Sequence, residues 1–196
     1  MVHRIAAILK RQIETRCSTR VGMDAATPDF TVTLSLDEQL QQEEYAIANP
    51  APTSVRIIGG TPRGLLYGVG KWLRVGRYPA EGFLPGRWAG RSAPGKHWRA
   101  IYLATHFHNY YQQAPLSEII TYLEDLALWG MNTLVVWYDF HHYRHAHEPS
   151  ALEMQQRLLA ILRAAKAIGM DVGLTCLGNE AYAGSPPELR ADFNTG

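Results

Sequence analysis

Apolar side chains recur at Ile5, Ile8, Leu9 and Ile13, the three-and-four spacing of a helix, and predict an amphipathic helix over residues 2–16. The pattern then changes period. DFTVTLSL (29–36) alternates apolar with polar positions and is rich in β-branched residues, so it predicts a strand. EEYAIAN (43–49) predicts a second strand, closed by the turn PAPT, and SVRIIGG (54–60) a third. TPRGLLYGVGKWLRVG (61–76) returns to helical spacing, with Leu65, Leu66, Val69 and Leu73 on one face. Thr61 is placed to cap that helix and Pro62 to open it. Residues 1–77 therefore read as a small α/β layer.

Residues 78–97 hold three prolines and four glycines among few periodic apolar positions, the composition of a linker. Beyond them the patterning is more apolar. WRAIYLA (98–104) reads as a strand. APLSEIITYLEDLALWG (114–130) reads as a helix with Leu116, Ile119, Ile120, Leu123 and Leu126 on one face and Gly130 as its stop. MNTLVVWYDF (131–140) is a continuous apolar strand. Residues 149–169 form a second helix, with Ser150 as the expected N-cap and Gly169 as the stop, and MDVGLTCLG (170–178) is a third strand. LALWGMNTLVVW and AKAIGMDVGLTC repeat one another: helix, Gly-Met, Asn or Asp, strand. The strands begin near 99, 132 and 171, spacings close to the ~30 residues per βα unit of an eight-fold barrel. Apolar strands alternating with helices predict a parallel sheet. A doubly wound sheet is the competitor, but no Gly-rich phosphate loop follows any strand. The expectation is an α/β chain: a small domain (1–77), a linker (78–97) and the first three βα units of an incomplete (β/α)8 barrel (98–196).

Composition narrows the function. The 196 residues are 46% hydrophobic and 19% charged, enough to bury a core. A net charge of +1 without a basic block argues against a nucleic-acid partner. No run of eighteen apolar residues is present to span a membrane. The start becomes polar too early for a secretory signal, so the compartment stays open, as does the oligomeric state. Cys17 and Cys176 lie in unrelated contexts and read as ordinary packing residues.

Tyr45, Ile47, Gly59, Arg63, Gly64, Leu65, Leu66, Tyr67 and Gly68 form a Tyr-x-Ile strand, a strand ending in Gly and a helix opening Arg-Gly-Leu-Leu-Tyr-Gly. This combination resembles the non-catalytic N-terminal domain of bacterial β-N-acetylhexosaminidases and of α-glucuronidases. WRAIYLATHFHNYY resembles the first barrel strand of those glycoside hydrolases, with Arg99-Ala100 where Arg-Gly often stands. The resemblance implies a carbohydrate substrate, glycosidic bond hydrolysis by the intact protein, and no cofactor. It also has departures. Where family 20 hexosaminidases carry an Asp and a sugar-binding Arg after the first strand, this chain has Ala104 and Phe107. Its second strand carries Trp137 and Asp139 instead of His-x-His. The family's acid/base Asp-Glu pair belongs beyond the third strand. A glycosidase-related family whose specificity the sequence leaves open is expected.

Parallel barrels present their chemistry at the C-terminal ends of strands. After the first strand come His106, His108, Asn109 and Tyr110; after the second, Trp137, Asp139, His141 and His142; after the third, Asn179 and Glu180. Trp137 and Tyr110 are candidates to stack on sugar rings. His106, His108, Asn109, Asp139, His141 and Asn179 are candidates to hydrogen-bond hydroxyls. Asp139 and Glu180 are weak candidates for catalysis. No residue is assigned to a metal. The competing enzyme reading resembles amidohydrolases: His106 and His108, two apart on a strand, would face one side and share an ion. A glycan-binding barrel without catalysis is the non-enzyme alternative. His145 and His147 read as part of a solvated loop.

Overall fold

The computed structural model describes residues 1–176 and 180–190. They divide into two compact units. The first comprises Met1–Arg99 and Glu124–Met131; the second comprises Ala100–Leu123 and the residues from Asn132 on.

In the first unit, helix α1 spans Val2–Glu14 and buries Ile5, Ile8, Leu9 and Ile13, the four positions of the apolar repeat. Strands β1 (Thr31–Leu36), β2 (Tyr45–Ala51) and β3 (Ser54–Gly59) are followed by helix α2 (Pro62–Val75). Thr61 caps α2, its hydroxyl oxygen accepting the Gly64 N–H, and Pro62 fills the first turn. β1 runs parallel to β3, and β2 runs antiparallel to it. A short strand β4 (Gly90–Ser92), inside the proline- and glycine-rich stretch, adds an antiparallel edge to β2, giving the order β1-β3-β2-β4. Ile57, Leu65 and Val69 are 0% exposed where α2 covers the sheet.

Glycines set how closely α2 is approached. A Cβ at Gly70 would fall 1.9 Å from the Leu128 carbonyl oxygen, which also accepts a 2.6 Å hydrogen bond from Arg74 Nη1. Glycine in a helix interior ordinarily costs about 1 kcal/mol against alanine. Gly70→Ala is nonetheless expected to destabilise the first unit by about 1–3 kcal/mol, because the clash is with backbone. Chemical denaturation followed by circular dichroism reads the sign directly.

The second unit holds β5 (Ala100–Leu103), β6 (Thr133–Trp137) and β7 (Asp171–Thr175), three parallel strands in sequential order. The register pairs Ala100 with Thr133 and Thr133 with Asp171. Short helix α3 (Tyr110–Gln113) and helix α4 (Leu116–Leu128) follow β5, and helix α5 (Pro149–Ala167) follows β6. The repeated Gly-Met is a repeated helix stop. Gly130 and Gly169 take φ of 99° and 93°. Met131 N–H then bonds Leu126 O, and Met170 N–H bonds Ala165 O, each at 3.0 Å. Gly130 and Gly169 N–H bond Ala127 O and Lys166 O, so both helices end in the same Schellman motif.

One cap differs from expectation. The N-cap of α5 lies two positions earlier, at Glu148, with Pro149 in the first turn; the Ser150 hydroxyl donates to Glu148 Oε1 instead of capping. Pro149 decides this, since its fixed φ and missing N–H suit the first helical position. No helix among the described residues is long and apolar enough to cross a membrane.

Candidate functional site

The C-terminal ends of β5 and β6 are clipped together by one side chain. Thr105, 1% exposed, donates from Oγ1 to Trp137 O at 2.6 Å and accepts from Trp137 N–H at 3.0 Å. Its hydroxyl thus continues the ladder past the last residue of β5. Tyr138 N–H bonds Thr175 O at 3.0 Å and does the same between β6 and β7. These links hold the two polar loops against one another.

The first loop turns sharply. Phe107 and His108 both have φ near the left-handed region, 56° and 55°. Non-glycine residues rarely adopt it, and such backbone concentrates at functional sites. The strand has ended at Leu103, so the alternate-face rule does not extend to His106 and His108. Their imidazoles have separate partners. His106 Nε2 meets Tyr102 Oη at 2.7 Å, while His108 Nδ1 meets Gln113 Nε2 at 3.4 Å. The ion that the amidohydrolase-like alternative would place between these two histidines is therefore not set up by strand geometry. Asn109 engages its side-chain carbonyl as the N-cap of α3, accepting the Tyr111 N–H. Tyr110 donates its hydroxyl to Glu118 at 2.9 Å and is tied to α4.

The second loop carries the densest chemistry. Asp139, 5% exposed, precedes a single 3-10 turn, Phe140–His142. Its Oδ1 accepts from the Trp137 indole N–H at 3.3 Å and lies 3.2 Å from His141 Nδ1. His142 Nδ1 is 3.7 Å from Oδ2. Glu180 arrives from beyond β7: its Oε1 is 2.6 Å from His141 Nδ1 and accepts the His141 backbone N–H at 3.2 Å. The 180–184 segment is fastened there by Ala183 N–H to Tyr143 O and Gly184 N–H to Arg144 O. A Cβ at Gly184 would meet the Arg144 carbonyl at 2.4 Å, so this contact needs glycine.

Aromatic rings surround the cluster. His106 lies 5.4 Å from the Trp137 ring and 4.3 Å from Phe107. Burial, and after it the Asp139 charge, raises the Tyr102 phenol above its ordinary pKa. Tyr143 and Tyr182 are pushed up to about 12, in both cases mainly by burial. All three phenols are neutral hydrogen-bonding groups at physiological pH.

The structure thus brings together His106, Trp137, Asp139, His141 and Glu180, and approaches His108 to this group through a 6.0 Å ring contact with His142. It ties Asn109 and Tyr110 to local partners. Asn179 lies outside the described residues. Thr105, Tyr102 and Tyr182 were missed by pattern reading. Tyr102 lies four residues before His106, a same-face spacing on a strand, but the strand ends at Leu103 between them.

No protein-family model and no curated protein matches the chain. Solved structures do. The chain is similar to a family 20 β-N-acetylhexosaminidase from Streptomyces coelicolor A3(2), at 17% identity and a TM-score of 0.66, over 88% of this chain and 39% of that one. It is similar to a family 20 exo β-N-acetylglucosaminidase from Vibrio harveyi, solved with N-acetylglucosamine, at 13% identity and 0.66, over 92% and 32%. A glycoside hydrolase family 138 enzyme targeting pectin rhamnogalacturonan II matches at 13% and 0.58, over 86% and 22%. These likenesses establish a shared α/β fold. The chain spans well under half the length of each of these structures.

Proposed function

We propose that the chain is the N-terminal portion of a carbohydrate-active enzyme that, when whole, hydrolyses O-glycosidic bonds. In this reading residues 1–77 are a non-catalytic domain and 98–196 begin a (β/α)8 barrel. The observation that carries it is the cluster at the ends of three parallel strands: Trp137 and Tyr102 as aromatic faces, with His106, Asp139, His141 and Glu180 as fixed hydrogen-bonding groups. Sugar sites are built from such pairings of aromatic surface with few convergent polar groups. Two further facts support it. β7 pairs on one side only among the described residues and leaves Leu174 60% exposed, as a strand awaiting a neighbour does. The similar folds include family 20 β-N-acetylhexosaminidases.

Asp139 and Glu180 are assigned to binding, not to the bond-breaking step. Glycosidases flank the scissile bond with two carboxyl groups about 5–9.5 Å apart, leaving room for sugar or water between them. Here His141 stands between the two carboxylates, within 3.2 Å and 2.6 Å of them. The catalytic pair is assigned to strands that follow, and an N-acetylhexosamine is favoured over a uronic acid by the fold neighbours.

The test compares the 196-residue chain with the product of the full reading frame on a panel of nitrophenyl glycosides. Turnover is expected from the longer protein alone. Turnover by the 196-residue chain that vanishes in Asp139→Asn and Glu180→Gln would place catalysis here instead. A longer protein that binds glycans on an array but cleaves none would favour a glycan-binding barrel.

A further inference from the structure

The geometry points to a divalent transition-metal site, best matched to zinc, formed by Asp139, His141 and His142, with the Glu180 carboxylate against His141 and the fourth position open to solvent. It lies in the second unit and does not depend on which bond the protein cleaves.

Phe140–His142 form one 3-10 turn with Asp139 as its N-cap in extended backbone, which brings all three potential donor side chains to one short segment. Each residue offers one ligand atom, and these atoms lie within 4.8 Å of one another. Bonds of about 2.0–2.1 Å to nitrogen and oxygen in a tetrahedron separate ligand atoms by about 3.3 Å. His141 Nδ1 lies 3.2 Å from Asp139 Oδ1 and His142 Nδ1 lies 3.7 Å from Asp139 Oδ2, separations near that edge, each to a different oxygen of the carboxylate.

A second, independent feature points to a cation. Asp139 is 5% exposed, and its Oδ2 has no hydrogen-bond partner among the described residues. A buried carboxylate oxygen left without a partner is costly, so native structures pair such groups or bind metal with them. The Glu180 side chain is 3% exposed and adds a second negative charge. Two carboxylates and two neutral imidazoles balance the charge of one divalent ion. The site also has an entrance, because His141 and His142 keep 48% and 30% of their side chains in solvent while Asp139 forms the floor.

The donor set selects the ion. Imidazole suits zinc and its neighbours, whereas calcium and magnesium demand oxygen. Metal binding through Nδ1 uses the neutral tautomer of each imidazole that carries its proton on Nε2.

The experiment uses the 196-residue chain without a polyhistidine tag, stripped of metal and then given Zn2+ or Co2+ alone. One zinc per chain after gel filtration is expected, together with visible cobalt bands of four-coordinate intensity. Asp139→Asn and His142→Ala are expected to weaken binding at least about tenfold, and Glu180→Gln by about 10–100-fold. His145→Ala and His147→Ala are expected to leave it unchanged. Circular dichroism checks that each variant folds, and the wild-type cobalt spectrum stands without any variant. Substoichiometric zinc, featureless or six-coordinate cobalt spectra, or equal weakening by His145→Ala would overturn the proposal.

Discussion

Trp72→Ala is expected to destabilise the first unit by about 3–5 kcal/mol, the range for deleting a large buried aromatic side chain. Trp72 is 1% exposed on α2. Its ring stacks 6.2 Å from Phe30 and meets Phe83 edge-on at 5.1 Å, and Phe83 in turn packs 5.0 Å from Tyr78. Alanine would leave those rings facing a void that backbone cannot close. The indole Nε1 is buried without a hydrogen-bond partner among the described residues. Trp72→Phe keeps most of the volume and removes that donor, so it is expected to cost far less than alanine. Urea denaturation of both variants, followed by far-ultraviolet circular dichroism, decides the matter. Equal losses would mean that volume is not what Trp72 contributes.

Thr105→Val is expected to have the largest effect in the second unit. Valine matches threonine in shape, so packing is little changed. It removes both bonds to Trp137, leaving a part-buried N–H and C=O unsatisfied at up to about 1–3 kcal/mol each. The expected signature is a loss of stability together with faster amide exchange at Trp137 and Asp139, because the clip between the loops is gone. Thr105→Ser keeps the hydroxyl and should recover most of the loss. A neutral Thr105→Val would show that water satisfies Trp137 and that the clip is not structural.

Four of the five α-helices among the described residues were legible in the chain, with most of their ends; the short α3 and the N-cap of α5 were not. Ile5, Ile8, Leu9 and Ile13 are all buried, Thr61 caps α2, and Gly130 and Gly169 stop two helices in one geometry. Each of these is decided within a few residues by periodicity, by a side-chain cap or by the freedom of glycine at positive φ, so sequence alone suffices. The parallel pairing of β5, β6 and β7 was legible too, because apolar strand runs alternate with helices along the chain.

The site is different. His141 and Glu180 are 39 residues apart, and nothing local marks them as partners. Tyr102 meets His106 where the chain leaves β5 after Leu103, and Phe107 and His108 then turn it through left-handed backbone. A periodic reading assumes that the strand continues, and on that assumption His106 and His108 would share a face. Thr105 reads as one polar residue among several until the register of β5 against β6 sets its hydroxyl beside Trp137. Local pattern therefore determined the elements and their direction. Which side chains converge was decided by loop backbone conformation and by hydrogen bonds between segments distant in sequence, and no short stretch of the chain encodes these alone.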